Sequence, residues 1–171
     1  MNHETSVYLG LGSNLGDREK NLDLALEKIS ADPVGRLIRV SSFYRSEPWG
    51  MKDQPWFLNA VCQIETRLSP EQLLETLKTM ERNLGRAPSD EHWGPRVIDL
   101  DIILFRDLIL DTPLLTIPHQ YCTERLFVLM PLVEIAPEMI HPATGIPFKK
   151  HRDQLLKTEP EGACLKWNRT A

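Results

Sequence analysis

The sequence predicts an α+β fold in which helices pack on one largely antiparallel β-sheet. The order of the predicted segments, strand, helix, strand, strand, helix, strand, indicates this class, and the composition is that of one ordinary globular domain. The chain has 171 residues, of which 42% are hydrophobic and 26% are charged. These fractions lie near the averages for soluble proteins, so we expect residues 1–171 to form a single domain.

The chain opens with a predicted strand, residues 6–12, in which large apolar side chains alternate with other residues. It runs into the turn Gly12-Ser-Asn-Leu-Gly16, after which apolar residues recur at helical spacing up to Ile29. A second strand is predicted at about residues 37–44. The segment 47–55 contains prolines and a glycine, so it is expected to be a loop.

Residues 57–66 form the third predicted strand, because their hydrophobicity alternates. Side chains two residues apart share a face of a strand, so Phe57 and Asn59 lie together on one face. Leu58 begins an apolar series on the opposite face.

The second half of the chain contains the clearest helix signal. Ser69 and Gln72 form a capping box, and Gly85 is placed for the left-handed end of the helix. A fourth strand is predicted at residues 97–105, followed by an antiparallel partner at 108–110.

The remaining chain is predicted to contain a short helix at residues 125–133 and, beyond about residue 150, a polar surface tail. The complete order of elements is that of a split β-α-β sandwich. The sequence therefore predicts a ferredoxin-like fold.

The charge balance and the cysteines restrict the possible partners and compartment. A net charge of -4 gives no electrostatic reason to bind nucleic acid or an anionic membrane. No apolar run is long enough to span a bilayer, and the N-terminus lacks the pattern of a signal peptide, so we expect a cytoplasmic protein. Cys62, Cys122 and Cys164 are odd in number and widely spaced, which predicts free thiols.

Asp99 and Asp101 are the principal candidates for chemistry. They are two residues apart on a predicted strand, so both carboxylates leave the same face. A solvated polar face is one interpretation. However, Val97, Ile103 and Phe105 are expected on that face as well, and the opposite face is apolar. Paired carboxylates in such surroundings need compensation, which favours a magnesium site.

The residues before this strand add a cation. Arg96 follows the rigid segment His92-Trp-Gly-Pro95, and its guanidinium group suits phosphate oxygens, although a surface ion pair with a glutamate is the alternative. The pattern Gly10-x-Gly12-x-x-x-Gly16 matches neither a dinucleotide fingerprint nor a phosphate loop, so by itself it predicts a turn.

A resemblance to a known family is carried by several blocks. The run from His92 to Ile103, HWGPRVIDLDII, resembles the signature of hydroxymethyldihydropterin pyrophosphokinases. Further blocks resemble the same family in the same order, and the similarity covers roughly residues 6–150. These blocks are Leu11-Gly-Ser-Asn-Leu15, Ser41-Ser-Phe-Tyr-Arg45, Asp53-Gln-Pro55, Phe57-Leu-Asn59, Ile117-Pro-His119 and Ile135-Ala-Pro-Glu138.

The resemblance implies a role for each matching residue. The carboxylates that hold two magnesium ions between the ATP phosphates match Asp99 and Asp101. Positions around ATP match Glu81, Arg86, Arg96, His119 and Arg125, of which Arg96 and His119 contact phosphate. The pterin site matches Ser46, Trp49, Phe57, Asn59, Trp93 and Phe127. Phe57 stands where a tyrosine is common, and Pro88 stands where many members have a loop arginine.

The expected activity follows from this resemblance. It implies magnesium-dependent transfer of pyrophosphate from ATP to 6-hydroxymethyl-7,8-dihydropterin, with release of AMP and without a covalent enzyme intermediate. Two alternatives remain open on the sequence: a ligand-binding sensor domain, which needs no paired aspartates, and a metal-dependent nucleotidyltransferase, which releases pyrophosphate. The polar segment 86–93 is further expected to be a lid that moves Trp93 against the pterin.

Overall fold

The computed structural model of the protein describes residues 4–31, 33–87 and 94–169. Its elements, in chain order, are β1 (Thr5–Ser13), α1 (Arg18–Ile29), β2 (Arg36–Val40), β3 (Tyr44–Ser46), β4 (Phe57–Thr66), α2 (Pro70–Asn83), β5 (Asp99–Phe105), β6 (Leu110–Asp111), β7 (Thr116–Ile117), α3 (Leu126–Ile135), α4 (Phe148–Leu155) and β8 (Cys164–Lys166).

One antiparallel sheet forms the centre of the fold. Its strands lie in the order β5-β1-β4-β3-β8, and β2 pairs with the far end of β4. Strand β4 thus lies between β1 and the two strands that precede it in the chain, as a split β-α-β unit requires. The predicted α+β, ferredoxin-like class is confirmed.

The alternation within β1 divides the helices between two faces of the sheet. Val7 and Leu9 are fully buried in the core cluster that contains the apolar faces of α1 and α2, whereas Tyr8 belongs to the cluster formed with α3 and α4. Strand β4 follows the same rule, since Cys62 faces α1 and α2 and Val61 faces α3. The polar residues described below lie on the α3 face.

The predicted strand 37–44 is in fact two strands, β2 and β3. The interruption occurs at Ser41, whose N–H donates to the Val61 carbonyl at 2.9 Å while its hydroxyl accepts the Val61 N–H at 3.0 Å. A side-chain oxygen therefore replaces the backbone carbonyl that a continuous strand would offer to Val61.

Strand β5 contains a bulge that the alternation rule did not predict. Leu9 pairs with Ile102 and Tyr8 pairs with Leu104, so Ile103 is an extra residue on β5. Ile103 stays on the face of the aspartates, as predicted. Phe105 does not, because the bulge moves it into the core of α1 and α2, and the prediction for Phe105 was wrong.

Two further expectations about the second half were wrong. Residues 108–110 do not pair with β5; the chain turns after Phe105, and β6 pairs with β7 instead. Beyond residue 150, where a polar surface tail was predicted, the chain has regular structure, since α4 continues to Leu155 and β8 pairs with β3. Phe148, the first residue of α4, and Cys164, in β8, pack in the core clusters formed with the sheet and α3.

Other predictions are confirmed. The capping box of α2 is formed by Ser69 and Gln72, and Gly85 has a φ of 99° after the helix. The three cysteines are free and buried. None of the helices in the described ranges has the length and apolar character needed to cross a membrane.

Candidate active site

A cleft lies on the α3 face, at the end of the sheet where β3, β4, β1 and β5 are adjacent. It brings together most of the residues that the sequence singled out. The predicted site residues that line it are Ser46, Trp49, Phe57, Asn59, Arg96, Asp99, Asp101, His119, Arg125 and Phe127. A second cleft, lined by Glu81, Arg86 and Arg96, adjoins it at Arg96. Trp93 and Pro88 lie outside the described residues, as does most of the predicted lid.

Two glycines of β1 form the floor of the cleft. A Cβ on Gly10 would lie 3.1 Å from Cδ1 of Ile103, and one on Gly12 would lie 3.2 Å from Oδ1 of Asn59. Both glycines therefore leave room that any side chain would fill. Sequence reasoning missed this role, although two glycines at a spacing of two on a predicted strand share a face.

The two aspartates stand beside this floor. Strand pairing puts Asp99 opposite Gly12 and Asp101 opposite Gly10, so both carboxylates emerge on the α3 face. Asp99 is held between two guanidinium groups, at 2.7 Å from Arg86 and 3.0 Å from Arg96. Burial alone would raise the pKa of Asp99, but the positive charges of Arg96 and Arg86 lower it below its ordinary value.

Asp101 is in a different electrostatic situation. Burial and the negative charge of Asp99 raise its pKa to about 7, and within the described part of the chain it forms no ion pair. A bound divalent cation would remove this penalty. No group of three or more metal-binding side chains occurs among the described residues. A pair of carboxylates is nevertheless a ligand set that suits Mg2+, which proteins commonly bind through one or two carboxylates together with substrate phosphates.

Glu81 of α2 supports the strand between the two aspartates. It is 2% exposed and accepts the N–H of Leu100 at 2.7 Å. The same carboxylate pairs with Arg86 at 2.6 Å and with Lys78 at 3.1 Å. Arg86 thus links Glu81 to Asp99, immediately after the glycine that ends α2. Lys78 was not among the predicted site residues, because a lysine on a helix is most often solvated.

His119 lies across the cleft as a neutral ring. Burial and the positive charge of Arg125 lower its pKa to about 4. Its Nδ1 accepts the N–H of Tyr121 at 3.2 Å. The single ring proton of the neutral form is therefore on Nε2, which makes that nitrogen a hydrogen-bond donor.

Arg125 enters the cleft among aromatic rings. Its guanidinium carbon lies 4.3 Å from the ring centre of Trp49, 4.7 Å from that of Tyr121 and 5.6 Å from that of Phe127. Its Nε is buried and has no hydrogen-bond partner among the described residues. An unpaired buried donor is costly, and an anionic ligand is a suitable acceptor for such a group.

Asn59 presents an oriented amide. It is 4% exposed, and its Nδ2 donates to Oγ of Ser46 at 2.8 Å and to the carbonyl of Tyr44 at 3.4 Å. Because these two acceptors use the amide donors, Oδ1 is left facing Gly12 and the cleft. The aromatic side chains of Phe57 and Phe127 line the same cleft.

Asn14, in the turn after β1, connects the loops around the site and was not among the predicted site residues. Its Oδ1 accepts the N–H of Arg96 at 2.7 Å. Its Nδ2 donates to Oε1 of Gln54 at 2.9 Å and to the carbonyl of Pro55 at 3.1 Å. One buried side chain therefore joins the arginine beside the aspartates to the loop that bears Trp49.

Comparisons with known proteins agree with these observations. A relative from Methylorubrum extorquens, named 2-amino-4-hydroxy-6-hydroxymethyldihydropteridine pyrophosphokinase, is 43% identical over 92% of this chain and 96% of its own length. A protein of the same name from Pseudomonas aeruginosa is 41% identical over 90% of this chain and 91% of its own. Folic acid synthesis protein fol1 from Schizosaccharomyces pombe is 43% identical over 87% of this chain, which spans 20% of that protein.

Among solved structures, Plasmodium falciparum HPPK-DHPS with pteroate matches with a TM-score of 0.76 at 17% identity, over 93% of this chain and 44% of that one. This likeness shows the shared fold. The sequence pattern of 7,8-dihydro-6-hydroxymethylpterin-pyrophosphokinase matches residues 8–137. Since that pattern spans most of the chain and the bacterial relatives align over nearly their whole length, the chain belongs to the hydroxymethylpterin pyrophosphokinase family.

Proposed function

We propose that this protein transfers pyrophosphate from ATP to the hydroxymethyl group of 6-hydroxymethyl-7,8-dihydropterin and releases AMP, as a step of folate biosynthesis. The observation that supports it best is the cleft itself, where a carboxylate pair with flanking cations adjoins a neutral amide between aromatic rings. The bacterial relatives are named for the same pyrophosphokinase. The free, buried cysteines agree with a cytoplasmic location.

The pterin is assigned to the side of the cleft formed by β3, β4 and the start of α3. A flat heterocycle with donors and acceptors on its edge suits a neutral amide between aromatic faces. Oδ1 of Asn59 accepts from that edge, while Phe57 and Phe127 contact the ring. Ser46 and Trp49 complete the pocket, and Trp93 is proposed as a further contact of the pterin.

The phosphates of ATP are assigned to the opposite side. Arg96 donates to phosphate oxygens from this side, and Arg125 does so from the start of α3, between the aromatic rings and the aspartates. Nε2–H of His119 adds a neutral donor. Glu81 and Arg86 lie beside the second cleft, where they contact the rest of the nucleotide. Such donors stabilise the negative charge of a transferring phosphoryl group without forming a bond to it.

Asp99 and Asp101 are the proposed ligands of magnesium, and we expect two ions with ATP bound. When bound, Mg2+ neutralises phosphate charge and polarises the phosphoryl oxygens. The chain's own residues align the reactants for in-line attack. The pterin hydroxyl oxygen forms a bond to the β-phosphorus, the bond from that phosphorus to the bridging oxygen of AMP breaks, and the hydroxyl proton passes to solvent.

A direct test incubates the protein with ATP, Mg2+ and 6-hydroxymethyl-7,8-dihydropterin and then separates the nucleotides. AMP is expected in proportion to pterin consumed, with no AMP when the pterin is omitted. Asp101→Asn serves as the control for contaminating activities. Release of inorganic pyrophosphate instead would indicate a nucleotidyltransferase, and binding without turnover would indicate a sensor domain.

A further inference from the structure

The end of the described chain crosses the outer edge of the sheet as a strap, residues 163–169, which lies beyond the segment 8–137 that the family pattern matches. We propose that this C-terminal strap is a positioning element for the pterin pocket and that Trp167 is the residue that anchors it. The inference rests on the proposed function, because it concerns the pocket assigned to the pterin.

The strap extends the pairing of β3 at both ends. Within the ladder, Tyr44 pairs with Lys166 and Ser46 with Cys164. Beyond it, the N–H of Glu47 donates to the carbonyl of Ala163 at 3.2 Å, and the N–H of Trp167 donates to the carbonyl of Phe43 at 2.8 Å. Strand β3 spans only Tyr44–Ser46 and has β4 as its other neighbour, so the strap supplies one of its two sets of backbone partners.

The position of β3 determines the orientation of Asn59. The two acceptors that hold the amide, Oγ of Ser46 and the carbonyl of Tyr44, both belong to β3. If β3 moves outward, the amide loses its partners and Oδ1 is no longer fixed toward the cleft.

The strap also contacts the opposite wall of the pocket. Cys164 is 9% exposed and packs in one cluster with Tyr44 and Leu126. Leu126 is the first residue of α3, between Arg125 and Phe127, and Phe127 packs against the same cluster. One residue of the strap therefore touches both elements that enclose the pterin pocket.

The anchor of the strap lies outside the cleft. The indole N–H of Trp167 donates to Oε1 of Glu19 at 2.6 Å, and its ring packs against the core beneath α1. Arg169 pairs with Asp23 and lies 4.7 Å from the ring centre of Phe43. Trp167 does not line the cleft, so it acts on the pterin through β3.

Trp167→Ala tests this role, with Val34→Ala as the matched control. Val34 is 3% exposed in the same core, but its carbonyl accepts from Thr66 at the end of β4 far from Phe57. We expect Trp167→Ala to raise KM for the pterin by about tenfold while KM for ATP stays within about twofold. Val34→Ala should lower the melting temperature but leave both KM values within about twofold of the parent.

Amide hydrogen exchange adds a readout that does not depend on turnover. The N–H of Glu47 should exchange faster in Trp167→Ala than in Val34→Ala, because its acceptor belongs to the strap. Trp167→Phe keeps a ring but loses the bond to Glu19, so it should show the same changes to a smaller degree; it decides the matter if Trp167→Ala does not fold.

The proposal is overturned if KM for the pterin is the same in the Trp167 and Val34 variants, or if both KM values rise together. Unchanged exchange at Glu47 also overturns it. Formation of AMP by the parent protein tests the proposed function separately, so the two failures can be told apart.

Discussion

The two sides of the cleft differ in how far the fold itself satisfies their polar groups. On β5, Asp99 is compensated by two arginines, whereas Asp101 is half-buried, has no ion pair among the described residues and has a pKa raised to about 7. On β4, the amide of Asn59 already has its donors satisfied by two acceptors of β3. Under the proposed function, the charged side would be completed by its ligands, whereas the amide of the neutral side is already oriented by the fold.

Of the substitutions that test this difference between the two sides, replacement of the aspartates should have the largest effect on turnover. Asp99→Asn and Asp101→Asn should each lower turnover by about 100-fold or more, because each removes a charge that the bound cation requires. The two substitutions should change the stability of the protein in different directions. Asp99→Asn removes the carboxylate charge that pairs with Arg96 and, beside Glu81, with Arg86, and should lower the melting temperature, whereas Asp101→Asn removes repulsion with Asp99 and should preserve or raise it.

Turnover assays beside thermal unfolding measure both effects at neutral pH, without added metal for the unfolding. Activity within about threefold of the parent in both variants would contradict the assignment of magnesium to this pair. Equal losses of stability would contradict the difference between the two carboxylates.

On the neutral side, Asn59→Ala should weaken pterin binding by about 1–3 kcal/mol, because polar groups on the ligand edge lose their partner. Binding of an ATP analogue should change by less than about twofold, since the amide lies on the other side of the cleft. Calorimetry with the analogue alone, and with pterin added to that complex, separates the two affinities. Equal losses of affinity for both ligands would contradict the placement of Asn59 in the pterin pocket.

The floor of the cleft offers a smaller and more graded test. Gly12→Ala puts a methyl group near Oδ1 of Asn59, whose position is fixed, whereas Gly10→Ala puts one near the end of the Ile103 side chain, which can turn aside. We expect Gly12→Ala to raise KM for the pterin by about fivefold and Gly10→Ala by less. The reverse order would show that Asn59 is not held as rigidly as described.

The smallest expected effect concerns His119 and the dependence of the free energy of unfolding on pH. Its pKa is about 4 in the folded protein against an ordinary 6.5, so between these values the unfolded chain binds a proton that the folded one does not. Stability from this group is present above pH 6.5 and is lost as the pH falls toward 4. His119→Asn keeps an acceptor for Tyr121 and should lose less stability over that range in urea unfolding; an identical pH profile would contradict the neutral ring.

The sequence was sufficient for the aspartates but not for the floor beneath them. Asp99 and Asp101 are two apart in an apolar strand, so their common face and their need for compensation follow from local geometry. The role of Gly10 and Gly12 depends on which strand lies beside β1 and in what register. The space that a glycine leaves matters only because of the side chains that lie beside it in the folded protein, and the local sequence pattern does not specify those neighbours.

The errors have similar physical causes. The side of the sheet on which Phe105 lies depends on a bulge that arises from pairing with β1. No residue type in β5 predicts that bulge. The regular structure of the C-terminal segment depends on isolated buried residues, such as Phe148 and Cys164, in an otherwise polar stretch of sequence. Such anchors have no periodic pattern, so they become visible only with the tertiary contacts.

In the proposed reaction, the carboxylate side and the amide side of the cleft act together to move a pyrophosphate group in one step. Position-specific labelling of ATP phosphorus tests it most directly. With the parent protein and the pterin, label from the β and γ positions should appear together in the pterin product while label from the α position remains in AMP. Label from the α position in the pterin product, with pyrophosphate released, would contradict the account.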